Sequence, residues 1–340
     1  MTTYKEAGVD IEKKNALLKK IKEHVKATYD GHVISSETLF KGLVLNASEL
    51  KKYVEPVLAF NTDGVGTKTL VAAELDKWEG IGQDIVNHCI NDVLAMGAKP
   101  LFFSDYIASN KLDTAIIERI VKSVANCCKE NNIVFVGGET AEMPDVYHQR
   151  AIDVVGFILG AAERKDVIDG GGIEKRDTII GLASTGLHSN GYSLVRSIIR
   201  SGKLKLSEKI GSSTVGETLM VPHRNYLKTT TAVMKKYRIK GIAHITGGSF
   251  RKNLPRILPK GVAAEISRKS WQPLPIFKML QEKGNIPAEE MYNTFNMGIG
   301  YVYVVAQKDS EGVLRLLQQI GEKAYSIGRV NIGDGVKYVD

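Results

Sequence analysis

Cysteine is scarce in this chain of 340 residues: Cys89, Cys127 and Cys128 are all it has. Two of them are adjacent and none forms a C-x-x-C pair, which excludes a disulfide framework and a zinc site and fits reduced thiols in a cytoplasmic protein. No apolar run reaches the roughly 18 residues that a membrane span needs. The start, Met1-Thr2-Thr3-Tyr4-Lys5-Glu6, lacks the charged-then-apolar form of a secretory signal. A cytoplasmic location without a membrane partner is therefore expected. Short-period repeats and low-complexity tracts are also missing, which excludes solenoids and disordered linkers. Aromatic residues make up 7% of the chain, and no basic run is interleaved with them in the way that stacks single-stranded bases. The net charge of +8 then points to an anionic substrate or to solvated helix faces. Its densest stretch, Lys13 to Lys26, follows Glu12 and carries Glu23, at helical spacing. No nucleic-acid partner is expected, although a basic nucleic-acid-binding module is the alternative class.

What the chain does have is glycine, 33 in all, gathered at the ends of apolar runs. Glycines so placed serve turns and close approaches of backbone to ligand. The length predicts two domains. Asp166 to Asp177, with glycines at 170–172, reads as their connection, giving domains of 1–168 and 169–340. In the first half, helices are expected over Asp10 to Lys26, Ile81 to Met96 and the stripe Ile116, Ile117, Ile120, Val121 and Val124, the last capped by Asp113. Strands are expected at Val54 to Phe60, Leu101 to Phe103, Ile133 to Val136 and Ala151 to Leu159. The alternation restarts with a strand at Thr178 to Ala183, a helix at Tyr192 to Arg200, and strands at Ile242 to Ile245 and Ile299 to Ala306. Both halves are thus α/β or α+β.

Several strand-like runs end in glycine beside polar groups. In Asp63-Gly64-Val65-Gly66-Thr67-Lys68, bare backbone N–H groups and a lysine suit phosphate, and Asp63 suits Mg²⁺. The G-x-x-x-x-G-K spacing of a Walker A loop is missing, and an ordinary strand-to-helix turn explains the same residues. Asp92 lies in an otherwise apolar helix, either at the rim of a buried face or as a metal ligand. Glu139 follows Gly137-Gly138, where α/β sheets place ligands, or else sits in a tight exposed turn. Ser184 to Gly191 brings His188, Ser189 and Asn190 between a strand and a helix; these suit a sugar or phosphate, or form a hydrated cap. His244, before Thr246-Gly247-Gly248, is either a core histidine or a proton carrier. The amides and glycines of Asn293 to Gly300 suit binding or structure. Asp63, Asp92 and Glu139, three acids with no His or Cys cluster in the nearby sequence, favour Mg²⁺ over zinc.

In order along the chain, Thr62-Asp63-Gly64-Val65-Gly66-Thr67-Lys68, Leu101-Phe102-Phe103-Ser104-Asp105-Tyr106, Gly138-Glu139-Thr140-Ala141-Glu142-Met143-Pro144, His188-Ser189-Asn190-Gly191-Tyr192-Ser193 and Thr294-Phe295-Asn296-Met297-Gly298 form a specific set. With Tyr4 to Asp10 they closely resemble the phosphoribosylformylglycinamidine cyclo-ligase (aminoimidazole ribonucleotide synthetase) family over nearly the whole chain. The resemblance implies that formylglycinamidine ribonucleotide and ATP are converted to 5-aminoimidazole ribonucleotide, ADP and phosphate in purine biosynthesis. It implies a homodimer whose amino-terminal domains share a β-barrel, each followed by an α/β carboxy-terminal domain. It assigns Asp63, Asp92 and Glu139 to magnesium, and these with Gly64, Gly66, Thr67, Lys68 and Lys22 to ATP. It assigns His188, Ser189, Asn190, Thr246, Gly247 and Gly248 to the ribonucleotide, and His188, His244, Asn190 and Lys68 to catalysis.

The chain departs from the family at His32 to Gly42, where a glycine-rich stretch is usual, and at Leu187, Ser249 and Met297. Among relatives of the same plan, thiamine monophosphate kinase is the rival closest in size, but it lacks a His-Ser-Asn-Gly-Tyr-Ser string of this kind. Selenophosphate synthetase carries a reactive cysteine or selenocysteine near its start, and the hydrogenase maturation relative ends in cysteine; this chain shows neither feature.

Overall fold

The computed structural model describes residues 11–31, 33–35, 44–45 and 47–339. The motif at Tyr4 to Asp10 and most of the departing stretch from His32 to Gly42 lie outside the described residues. The chain forms two compact units, one of residues 1–93 and 98–166, the other of 94–97 and 167–340.

The elements of the first unit are, in order, α1 (Ile11–Lys26), β1 (Val33–Ser35), β2 (Val44–Leu45), β3 (Pro56–Gly64), α2 (Lys68–Leu75), α3 (Glu79–Ala95), β4 (Lys99–Ser109), α4 (Thr114–Glu130), β5 (Val134–Glu142) and β6 (Ile152–Glu163). Four strands make an open sheet in the order β3-β6-β4-β5, antiparallel except for the parallel pair β4 and β5. Four of the five residues of the stripe expected on α4 are buried, Ile117, Ile120, Val121 and Val124 being at most 2% exposed, while Ile116 is only half-buried. Each such side chain contributes about 1.5–3 kcal/mol on leaving water. Asp113 caps this helix, its carboxylate accepting from the Ala115 and Ile116 N–H groups at 3.0 and 3.2 Å.

Strands extend beyond their apolar runs. The strand expected to stop at Val136 continues through Gly137, Gly138 and Glu139, because the parallel ladder to β4 runs on to Glu142. One extra residue is accommodated between Phe135 and Gly138, a bulge opposite Phe103 and Asp105. Glycine is required at 138, since a Cβ there would collide with the carbonyl and carboxyl oxygens of Asp105.

The second unit runs β7 (Thr178–Ala183), α5 (Tyr192–Arg200), β8 (Lys209–Ile210), β9 (Ser213–Thr214), α6 (Val215–Leu219), α7 (Leu227–Met234), β10 (Ile239–His244), α8 (Ser249–Asn253), β11 (Val262–Ser267), α9 (Pro275–Gly284), α10 (Ala288–Thr294), β12 (Ile299–Val305), α11 (Ser310–Gln319), β13 (Ala324–Ile332) and β14 (Gly335–Val339). Its six-stranded sheet has the order β10-β12-β7-β13-β11-β14, antiparallel apart from β11 with β14. Every residue of β12 is buried, as a Val- and Tyr-rich strand covered on both faces must be. Both units are mixed α/β, and helix and strand alternate through each.

Candidate active site

In the first unit, β3 ends by delivering Asp63 to the loop that opens α2. The Asp63 Oδ1 accepts from the Gly64 N–H at 2.7 Å, and Val65 N–H is held by the Val154 carbonyl of β6 at 3.0 Å. Gly66 turns the chain with φ of +68°, and its carbonyl accepts from the Thr69 hydroxyl at 3.0 Å. Thr67, before the first residue of α2, makes no side-chain cap, and no acid stands in the helix's first turn. The Thr69 and Leu70 N–H groups close the first turn on the Gly66 and Thr67 carbonyls at 3.3 and 3.2 Å.

The second oxygen of Asp63 turns to α3. His88 Nε2 lies 3.0 Å from Asp63 Oδ2 and 3.6 Å from Asp92 Oδ2, one helical turn further on. Burial works to lower the His88 pKa, but the hydrogen bond to Asp63 and the charges of Asp92, Asp63 and Asp84 outweigh it and raise the pKa. The structure brings Asp63 and Asp92 together through a histidine that sequence reasoning missed. His88 falls among Ile85, Val86, Cys89 and Ile90 and reads there as a core position; its spacing of four from Asp92 was the available signal.

Glu139 stands apart from this pair. Asp63 and Asp105 both face Gly156 in register, and Asp105 faces Gly138, so Glu139, one residue on, points to the opposite side of the sheet. The three acids expected as one cluster are therefore two plus one within a chain.

Lys68 also departs from expectation. Its side chain is wholly buried and its ammonium pairs with the equally buried Asp84 of α3 at 2.8 Å. Desolvation lowers the Lys68 pKa, and Asp84 opposes that shift. As the first residue of α2, Lys68 points its side chain back into the core while its backbone N–H stays at the loop. Lys22 is half-buried on α1, the helix that packs on α4 through contacts such as Lys20 Nζ to Glu118 Oε2 at 3.0 Å.

In the second unit, the turn between β7 and α5 is held from below by the string at Asn293 to Gly300. The Asn296 amide donates to the Gly186 carbonyl at 2.9 Å and accepts from the Gly298 N–H at 2.8 Å, while Ser184 N–H bonds the Gly298 carbonyl at 2.9 Å. That string is structural support here. His188 sits at φ of +62°, a conformation that side chains other than glycine's adopt at some cost. Its Nε2 accepts from the Thr185 N–H at 3.3 Å, so neutral His188 carries its proton on Nδ1.

His188 stacks on His223 at 4.0 Å between ring centroids. The Ser189 hydroxyl lies 3.3 Å from His223 Nδ1, and His223 Nε2 lies 2.8 Å from His244 Nε2. One proton must sit between those two ring nitrogens, so one ring donates and the other accepts. All three histidines are buried, and each offers a nitrogen within 4.8 Å of the others. His223 is the second residue that sequence reasoning missed; it stands alone in Val221-Pro222-His223-Arg224, where no pattern marks it.

The turn Thr246-Gly247-Gly248 follows β10 and reaches the same place. Asn190 Oδ1 lies 3.2 Å from where a Cβ on Gly247 would be. The structure therefore brings His188, Ser189, Asn190, His244 and the turn at 246–248 close together within the second unit.

Residues 51–162 match the family described as AIR synthase related protein, N-terminal domain, and residues 175–340 match its C-terminal domain. The chain is 45% identical over 338 residues to the phosphoribosylformylglycinamidine cyclo-ligase of Bacillus cytotoxicus, covering 98% of this chain and 97% of that one. It is 47% identical over 326 residues to the same-named protein of Finegoldia magna, covering 96% and 95%. Among solved structures, HypE of E. coli aligns with a TM-score of 0.73 at 17% identity over 96% of this chain and 94% of that one. The thiamine-monophosphate kinase of Stenotrophomonas maltophilia K279a aligns with a TM-score of 0.69 at 14% identity over 95% of each.

Proposed function

The chain belongs to the AIR synthase related family, and on that footing we propose that it is a phosphoribosylformylglycinamidine cyclo-ligase, which closes the imidazole ring of 5-aminoimidazole ribonucleotide from formylglycinamidine ribonucleotide at the expense of ATP. The observation that carries the reading is near-full-length identity with relatives of that name, across both units.

The chemical problem is an amide oxygen that leaves poorly. ATP, when bound, supplies the phosphoryl group that turns this oxygen into a phosphate leaving group. For phosphoryl transfer a protein provides position and charge neutralisation more than covalent chemistry. The N–H groups of Gly66, Thr67 and Lys68 at the start of α2 would hold phosphate oxygens, beside Gly64. Asp63 and Asp92 would hold Mg²⁺: their side chains are 42% and 21% exposed, which leaves room for water and phosphate oxygens around a hard cation. Lys68, fixed on Asp84, would contribute by tying α2 to α3 and not by reaching a phosphate. Glu139 faces the other side of the sheet and would meet such an ion only across a subunit interface. Lys22 on α1 would add a cationic contact to the nucleotide, as the resemblance implies.

Ring closure brings the amidine nitrogen to the activated carbon, and that nitrogen sheds a proton as phosphate departs. The His223–His244 pair and the Nδ1 of His188 are the groups in the second unit that can hold and pass a proton. Ser189, Asn190, Thr246 and the N–H groups of Gly247 and Gly248 would hold the ribonucleotide. The Asn190 Nδ2 is buried with no hydrogen-bond partner among the described residues, a donor that a ligand oxygen would satisfy.

Residues 1–168 would form the ATP-binding and dimerisation domain and 169–340 the α/β partner domain. A homodimer with a shared β-barrel accounts for the outer face of the first sheet. Leu58 and Phe60 on β3 are 58% and 63% exposed, and Phe60 pairs across to Leu159, itself opposite Phe102. A contiguous apolar sheet face of this kind marks a protein interface. The free, buried thiols of Cys89, Cys127 and Cys128 suit a reducing cytoplasm.

A coupled assay with ATP, Mg²⁺ and formylglycinamidine ribonucleotide should yield ADP and aminoimidazole ribonucleotide in equal amounts. ADP without the imidazole product would overturn the cyclo-ligase reading. Asp63→Asn should abolish turnover while its melting curve stays near wild type; full turnover in that variant would remove the metal role of Asp63.

A further inference from the structure

His223 has a partner at each nitrogen of its ring. The Ser189 hydroxyl lies 3.3 Å from Nδ1, and His244 Nε2 lies 2.8 Å from Nε2. The ring is 1% exposed, stacks on His188 at 4.0 Å and 26°, and meets the His244 ring edge-on at 65°. Turned over, it would set carbon atoms against both partners, so packing and hydrogen bonding fix the same orientation. A neutral imidazole carries one N–H, and a hydroxyl can either donate or accept. The chain from Ser189 through His223 to His244 therefore has two settings of opposite direction. In the first, Ser189 donates to His223 Nδ1, His223 Nε2–H donates to His244 Nε2, and His244 keeps its proton on Nδ1. In the second, His244 Nε2–H donates to His223 Nε2, His223 Nδ1–H donates to the Ser189 oxygen, and the His244 lone pair stands on Nδ1.

We propose that His223 is a positioning residue that makes His244 a base only when the ribonucleotide contacts Ser189. A Ser189 hydroxyl that donates to a ligand oxygen has its hydrogen engaged, and it must accept from His223. The alternative sets two lone pairs against each other and leaves a buried acceptor unsatisfied. Ligand contact thus imposes the second setting. The protons balance: one leaves His244 Nδ1 for water, the His223 Nε2 proton crosses to His244 Nε2, and one from water arrives at His223 Nδ1. The bared His244 Nδ1 can then take the proton that the amidine nitrogen sheds on ring closure. This inference rests on the reading of Ser189 as a ribonucleotide contact.

The test uses the full-length protein labelled with ¹⁵N at its 7 histidines, read by long-range proton–nitrogen correlation, which separates protonated from bare ring nitrogens. The proton shared by the two Nε2 atoms couples to both nitrogens and so identifies the pair in the wild type. Spectra are taken without ligand, and with saturating formylglycinamidine ribonucleotide plus a non-hydrolysable ATP analogue. On adding these, His244 should change from Nδ1–H to Nε2–H, and His223 from Nε2–H to Nδ1–H. In Ser189→Ala both rings should keep one setting throughout. His223→Gln should lower kcat about 100-fold, the least that a positioned base contributes, with little change in KM for the ribonucleotide. Ribonucleotide that binds by calorimetry while both wild-type rings stay unchanged, or His223→Gln with wild-type kcat, would overturn the role of His223 and leave the ribonucleotide site standing. No binding of the ribonucleotide to the wild type would overturn the site reading, and this inference with it. The wild-type spectra decide the question even if a variant fails to fold.

Discussion

The Asp105 carboxyl sits in the middle of β4, walled by Gly156 on one neighbouring strand and Gly138 on the other, and its Oδ2 has no hydrogen-bond partner among the described residues. Burial raises its pKa to about 7 from 3.8. The folded chain therefore keeps a proton that the unfolded chain releases between pH 4 and pH 7. Stability from this group is full below pH 4 and falls as pH rises towards 7, by at most about 4 kcal/mol for a shift of this size. Asp105→Asn should melt in urea close to wild type at low pH and clearly above it at pH 8. Equal differences at both pH values would refute the buried, proton-holding carboxyl. Nothing in Leu101-Phe102-Phe103-Ser104-Asp105-Tyr106 announces this, because an acid after an apolar run looks like the end of a strand. Lys68 taught the same lesson: a lysine after glycines promises a phosphate contact, yet its ammonium found a buried carboxylate sixteen residues along the chain.

Among the elements, α3 carries the most of the first site, since Asp84, His88 and Asp92 all project from it. Its position depends on Gly82, where a Cβ would come within 2.5–2.7 Å of Val124 N, Ile120 O and Ser123 Cβ on α4. Those two helices touch backbone to backbone there. Gly82→Ala should force them apart, costing about 1–3 kcal/mol in thermal or urea unfolding and weakening nucleotide binding with it. Unchanged stability would mean that the helices slide without penalty. The α4 stripe, its Asp113 cap and the β12 run were legible beforehand, because each is a local pattern of periodicity or capping. The glycines of β5 were not, since a Gly-Gly-Glu string is a turn unless a neighbouring strand continues the ladder through it.

For the whole molecule the decisive surface is the outer face of the first sheet. If Leu58, Phe60, Phe157 and Leu159 meet a second copy, then Phe60→Glu combined with Leu58→Lys should convert a dimer to monomers in sedimentation velocity. Turnover should fall with it, since a barrel shared between chains cannot form. A variant that sediments as wild type would place the interface elsewhere.

Local order and composition determined the alternation of helix and strand, the glycine turns before α2, α5 and α8, and the family resemblance, since these depend on residues close in sequence. Only the tertiary structure decided which polar groups meet. It drew His88 into the Asp63–Asp92 pair, joined His223 to His188 and His244, and turned Glu139 to the far side of its sheet. Such meetings follow from strand register and helix packing, which join residues tens of positions apart, so no run of neighbouring residues encodes them.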